Sequence, residues 1–161
     1  MIEIYFAKLN PKAVIPAKED ENAGYDIYAC FEENHIEIRP GEIKLIPTGI
    51  ASAFSSDFVL QINERSSSGS KGLAIRAGVI DSGYRGEIFI ALNNVTNKPI
   101  IITKKPDDFD QKNNVVWPAS KAIAQALLLP VPKTKVLELS IEDLEKIDSK
   151  RGASSLGASR K

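Results

Sequence analysis

Two short stretches concentrate the residue types that chemistry at an anion needs. In ERSSSGSKG, Glu64 to Gly72, Arg65 supplies a planar fork of donors suited to phosphate oxygens. Ser66, Ser67 and Gly69 let the backbone turn tightly, so that successive N–H groups can point into one anion-binding concavity. In AGVIDSGYRGE, Ala77 to Glu87, one carboxylate, Asp81, stands between an apolar run and a Ser-Gly turn, with Tyr84 following. An aspartate so placed either begins a hairpin turn through its own backbone or acts on a substrate as a base. Five of the chain's ten glycines fall between Gly69 and Gly86, so the densest turn chemistry surrounds Asp81. Each fragment alone also fits a solvated loop or an ordinary turn; the combination is what points to a site.

The elements that must hold these residues read as β-strands. Period-two alternation or β-rich apolar content predicts strands near Ile2–Ala7, Asp26–Cys30, Ile36–Ile38, Ile43–Ile50, Phe58–Ile62, Leu73–Arg76, Glu87–Leu92, Ile100–Thr103 and Ala124–Pro130. Between them stand RPGE, DSGYRG and TNKP, each rich in turn formers. This pattern implies an all-β sandwich or barrel. Near the end, LSIEDLEKI predicts one short helix: Ser140 can cap it, Asp143 can reach back, and Ile141, Leu144 and Ile147 share a face. Beyond it, DSKRGASSLGASRK reads as a disordered tail, and KKPDDFDQKNN as an exposed insertion.

Composition removes several function classes. At 161 residues the chain suits one domain, or one domain plus a tail, and 21 basic residues balance 21 acidic ones. No overall field draws it to nucleic acid or an anionic membrane. The single cysteine, Cys30, excludes an intramolecular disulfide and favours a reducing, cytoplasmic setting. Met1 to Phe6 alternates apolar and polar residues, so no secretory signal is expected, and AIAQALLLPVP is too short and broken for a membrane helix. With one histidine, His35, in an alternating strand-like context, zinc chemistry is disfavoured. Neither a Walker-type phosphate loop nor a G-x-G-x-x-G turn after a strand is present.

Five stretches in order resemble the motifs of the trimeric, all-β deoxyuridine triphosphatases (dUTPases). They are AGYDIYA (Ala23–Ala29), RSSSG (Arg65–Gly69), AGVIDSGYRGE, and in part AIAQ (Ala122–Gln125) and RGASSLGAS (Arg151–Ser159). The resemblance implies hydrolysis of deoxyuridine triphosphate (dUTP) between the α and β phosphates, giving dUMP and pyrophosphate. It assigns Asp81 the activation of the attacking water, and places magnesium near Asp26 through water molecules, which suits that ion's reluctance to dehydrate. Arg65, Ser66, Ser67 and Gln125 would contact phosphate oxygens, with Arg151 reaching the terminal phosphates as the tail closes. Tyr84 would pack on the deoxyribose and leave no room for a 2′-hydroxyl. Main-chain groups of the hairpin around Ile75 to Ile80, Gly78 and Ile80 among them, would read uracil, and Leu156 would cover it.

The chain also departs from the family pattern. Ser120, Lys121 and Ala122 stand where a Gly-acid-Arg run is usual, and Glu64 where proline is common. Ser154, Ser155 and Leu156 replace a Gly-Gly-aromatic run, so Leu156 can cover a base but not stack on it. Pro106 to Asn114 reads as an added loop. Deoxycytidine triphosphate deaminases share the fold and a similar hairpin but need a glutamate at the position of Ala91, which disfavours deamination. A regulatory dUTP-binding protein with little turnover is the other alternative, motivated by the altered tail and loop. The presence of Asp81, Asp26, Arg65, Gln125 and Arg151 argues for turnover.

The resulting expectation is an all-β, jelly-roll-like barrel over residues 1–135, then a short helix and mobile C-terminal arm over 136–161. It would be a cytoplasmic homotrimer with shared active sites, magnesium as cofactor, and neither nucleic acid nor membrane as partner. Its activity would keep uracil out of DNA and supply dUMP.

Overall fold

A computed structural model describes residues 2–153. Among the described residues twelve strands account for most of the order, and the fold is all-β and jelly-roll-like. In chain order they are β1 Ile4–Lys8, β2 Tyr25–Ile27, β3 His35–Ile38, β4 Ile43–Pro47, β5 Ile50–Phe54 and β6 Phe58–Asn63. After a one-turn helix, α1 (Ser66–Gly69), come β7 Leu73–Arg76, β8 Val79–Ile80, β9 Phe89–Asn94, β10 Ile100–Thr103, β11 Val115–Pro118 and β12 Ala124–Pro130. Helix α2 spans Ile141–Glu145.

Hydrogen-bonded ladders join these strands as β1-β5, β11-β10-β3, β2-β12-β6-β8 and β4-β9-β7, four sheets rather than one closed barrel. Their inner faces share one core. Ile27, Ile38, Ile46, Leu60, Leu73, Ile90, Leu92, Ile100, Ile102 and Ile123 are fully buried in it, with Trp117 against them. Alternation explains the sidedness: in β6, Leu60 and Ile62 point in while Gln61 and Asn63 do not. Strand β10, paired on both edges by β3 and β11, is buried at all four positions, which matches its unbroken Ile-Ile-Ile-Thr composition.

Three local expectations change. The strand expected over Ile43–Ile50 ends at Pro47, because Gly49 takes φ +66° and turns the chain, and a second strand that the sequence did not mark, β5, begins at Ile50. An added Cβ there would press on Asn10, Ala13 and Cys30, so the turn is also a packing contact. Strand β11, hidden in the sequence beside a polar loop and ended by Pro118, pairs with β10 in parallel. That pairing explains the apparent insertion: Lys104 to Asn114 is the crossover that returns the chain to the start of a parallel neighbour. The crossover begins in a 3₁₀ turn at Pro106–Asp108, and Asp110 accepts from Lys112 N at 2.8 Å and Asn113 Nδ2 at 2.6 Å. Phe109 lays its ring edgewise on His35, with centroids 5.0 Å apart.

At the end of the chain, Ser140 caps α2, its Oγ accepting from Asp143 N at 3.1 Å and donating to the Asp143 carboxylate at 3.0 Å. Ile141, Leu144 and Ile147 remain exposed, so this apolar face is not covered by the chain's own core. No helix among the described residues is long and apolar enough to cross a membrane.

Candidate active site

Register places the first site residues. β12 lies between β2 and β6, with Gln125 opposite Asp26 on one side and Asn63 on the other. Directly opposed residues face the same side of a sheet, so Asp26, Gln125 and Asn63 form one row on the outward face. These three are far apart in sequence. Gly24 makes the row possible: an added Cβ would strike the Gln125 side-chain oxygen.

The chain leaves β6 at Glu64 and enters α1, which brings Arg65 over this row. Ser68, fully buried, closes the turn, its Oγ accepting from Arg65 N and donating to Arg65 O, both at 3.2 Å. Gly69 N donates to Arg65 O at 2.8 Å, and Ser70 N to Ser66 O at 3.1 Å. Ser66 and Ser67 open the turn, where helical geometry leaves the first amides without an upstream carbonyl. The expected tight turn is therefore a single helical turn.

Arg65 Nε meets Asp26 Oδ1 at 2.9 Å, and Nη1 donates to Ala122 O at 3.3 Å. Ala122 is buried, and its main-chain carbonyl steadies the guanidinium. Gln125 Nε2 donates to Glu64 O at 2.8 Å. Asp26, Arg65, Ser66, Ser67 and Gln125 line one cleft of about 820 Å³, together with Lys18, Gly24 and Tyr28. Cationic and hydroxyl donors beside two carboxylates, Asp26 and Glu19, suit a polyanion carried with a metal ion. No group of three or more His, Cys, Asp or Glu among the described residues forms a metal cage. Oxygen donors of this kind, Asp26 and Glu19 among them, fit a hard cation such as magnesium that keeps much of its water.

The Asp81 hairpin is built separately. Tyr84 N donates to Asp81 O at 3.1 Å, closing the turn, and Arg85 Nη1 locks it by donating to Ser82 O at 2.6 Å and Tyr84 O at 2.9 Å. Tyr84 Oη donates to Glu87 O at 2.9 Å, and the ring lies over Gly86, where a Cβ would come within 2.7 Å of its Cζ. Asp81 is exposed and Tyr84 is 44% exposed, so both are accessible. Ile80 pairs with Leu60, and Gly78 sits so close to Ile62 O that any side chain would clash. Gly78, Ile80, Asp81 and Tyr84 do not line the Arg65 cleft of the same chain. Arg151, exposed beyond α2, is not part of its wall either. Leu156 lies outside the described residues. One chain therefore assembles two part-sites: the Asp26–Arg65–Gln125 cleft and the Asp81–Tyr84 hairpin.

Ala91 lies buried in β9, opposite Leu45 and Arg76, with no carboxylate at its position. Sequence reasoning did not single out Lys18, Gly24 or Tyr28. Gly24 and Tyr28 stand within the AGYDIYA stretch itself, whereas Lys18 has no local mark.

Comparison with known proteins agrees with this architecture. The dUTPase family model matches residues 10–106. The deoxyuridine 5′-triphosphate nucleotidohydrolase of Nautilia profundicola is 34% identical, covering 99% of this chain and all of that protein. That of Syntrophotalea carbinolica is 35% identical over 94% of this chain and 93% of its own length. Among solved structures, the Staphylococcus bacteriophage 80alpha dUTPase with dUpNHpp superposes with a TM-score of 0.72 at 23% identity, covering 99% of both chains. The native EIAV dUTPase gives 0.64 at 22%, covering 86% of this chain and 98% of its own. Whole-length relatives at this identity and a family model over most of the folded core lead to one conclusion: the chain belongs to the dUTPase family.

Proposed function

We propose that this protein hydrolyses dUTP to dUMP and pyrophosphate. The observation that carries the reading is the convergence of Asp26, Arg65, Ser66, Ser67 and Gln125 on one cleft in a chain of the dUTPase family. Arg65, the α1 hydroxyls and amides, and Gln125 would hold the phosphate oxygens in line for displacement. Asp26 would hold magnesium through water, and the ion supplies charge relief on the triphosphate when bound. Asp81 orients a water toward the α-phosphorus and accepts its proton. Tyr84 packs against the deoxyribose, and main-chain groups at Gly78 and Ile80 read the base.

The separation of the two part-sites supports a homotrimer in which the hairpin of one chain completes the cleft of another. The exposed Ile141, Leu144 and Ile147 face supports an arm, residues 136–161, that leaves the 1–135 domain and docks on a neighbour, delivering Arg151 and Leu156. A reducing cytoplasm suits the free thiol of Cys30. The biological role would be removal of dUTP from the DNA precursor pool and supply of dUMP.

The experiment is pyrophosphate release, with magnesium, from dUTP, dCTP, dTTP and UTP by the parent and by Asp81→Asn. Selective release from dUTP, reduced by about 10²–10⁴-fold in Asp81→Asn while dUTP still binds, is the expected result. Binding of dUTP by a parent that releases no pyrophosphate would make the protein a nucleotide sensor instead.

A further inference from the structure

Glu64 is bonded to the cleft at one end and, at the other, to the strand that leads toward the Asp81 hairpin. Its main-chain oxygen accepts from Gln125 Nε2 at 2.8 Å, and its carboxylate Oε1 accepts from Ile75 N at 2.7 Å. The α1 turn packs on its stem, since a Cβ at Gly69 would lie 3.2 Å from Glu64 Cβ. Ile75 belongs to β7, which pairs with β9 on one side, so Glu64 bonds the strand from beyond that ladder. A second tie lies three residues on, where Ile62 N donates to Gly78 O at 2.7 Å. Between the ties the chain leaves the line of β7 at Ala77, which has φ +49°. Glu64 and Ile62 thus pin the two ends of the segment that leads into β8 and Asp81.

We propose that Glu64 is a positioning residue, whose carboxylate sets the register of the base-reading hairpin against the phosphate turn. The inference rests on the proposed dUTP hydrolysis and adds a residue that the family motifs do not include. A proline here, common in the family pattern, offers no acceptor to Ile75 N, so this chain uses a side-chain tie of its own. A half-buried amide that loses a charged acceptor is left unsatisfied, and the segment it anchored gains freedom. The consequence falls on recognition of base and sugar; the phosphate donors on α1 stay closed by Ser68.

The test uses the full chain with Glu64→Ala, Glu64→Gln and Glu64→Asp. Measured are KM for dUTP, inhibition by dUMP, and inhibition by inorganic pyrophosphate, which reports the phosphate-binding groups without the base and sugar. Glu64→Ala is expected to raise KM for dUTP and weaken dUMP inhibition, each by about tenfold, while pyrophosphate inhibition is unchanged. Glu64→Gln keeps an acceptor at the same reach and returns both values toward the parent, whereas Glu64→Asp, one methylene shorter, does not. Unchanged KM and dUMP inhibition in folded Glu64→Ala, whatever its Tm, overturns the proposal. If that variant fails to fold, the Gln and Asp pair decides, and equal KM in both overturns it. A parent inactive on dUTP overturns the hydrolysis reading and this one together; an active parent with insensitive variants overturns this one alone.

Discussion

Arg65 Nε and Asp26 Oδ1 stand 2.9 Å apart in the cleft, so the residues proposed to bind phosphate and to hold the metal partner each other. Their side chains are 30% and 35% exposed, which makes the pair worth about 1 kcal/mol or less. A bond that weak can be exchanged readily. In the proposed reaction Arg65 would turn to the triphosphate and Asp26 would hold the hydrated magnesium, with little cost for breaking the pair.

Two substitutions separate those roles. Arg65→Lys is expected to raise KM for dUTP about tenfold or more, because an ammonium cannot reproduce the donors that reach Asp26, Ala122 and phosphate at once. Asp26→Asn is expected to raise the magnesium concentration needed for half-maximal rate, and chelation by EDTA to stop pyrophosphate release in the parent. Steady-state rates across a magnesium titration check both; an unchanged magnesium requirement in Asp26→Asn would remove Asp26 from the metal side.

Tyr84 is held by its Oη bond to Glu87 O and by close packing on Gly86. A ring fixed at both ends can exclude a 2′-hydroxyl by shape alone. Tyr84→Ile is expected to narrow the preference for dUTP over UTP by about tenfold or more, an effect of the size seen for single steric contacts in specificity pockets. Equal discrimination in the variant would mean that the sugar is read elsewhere.

The arm begins after β12 with exposed Val136 and Leu137 and continues through the uncovered face of α2. Ending the chain before Arg151 is expected to leave the β-sheet core folded, with a far-ultraviolet spectrum like the parent's, and turnover of dUTP strongly reduced. Full activity in the truncated protein would show that Arg151 and Leu156 do not act at the site.

Cys30 offers a pH-dependent check on local packing. Burial pushes its thiol above the ordinary cysteine value, with the Glu32 and then the Glu87 carboxylate adding to the rise. A raised value means less thiolate at neutral pH, so alkylation by iodoacetamide is expected to run slower than for a free thiol, with the midpoint of its pH profile displaced upward. In urea the group loses that environment and the profile should return to the ordinary range. A native profile matching the unfolded one would contradict the packing of Gly49 against this thiol.

Much of this protein was legible in its sequence because the governing interactions are local. Alternation marked most strands, Ser140 and Asp143 marked α2, and the stretches around Asp26, Arg65 and Asp81 held their chemistry within a few residues. What tertiary structure decided was which of those stretches meet. Asp26 faces Gln125 only because β2 and β12 pair in that register, and Arg65 reaches Ala122 only because α1 folds over the same sheet. Strand β11 is recognisable only beside β10, and the polar run before it becomes a crossover only once those strands are parallel. The Glu64 tie to Ile75 likewise joins two elements that no periodicity connects. Neighbouring side chains and turn geometry set a strand or a cap. Register and pairing between distant strands follow from which faces the shared core must bury.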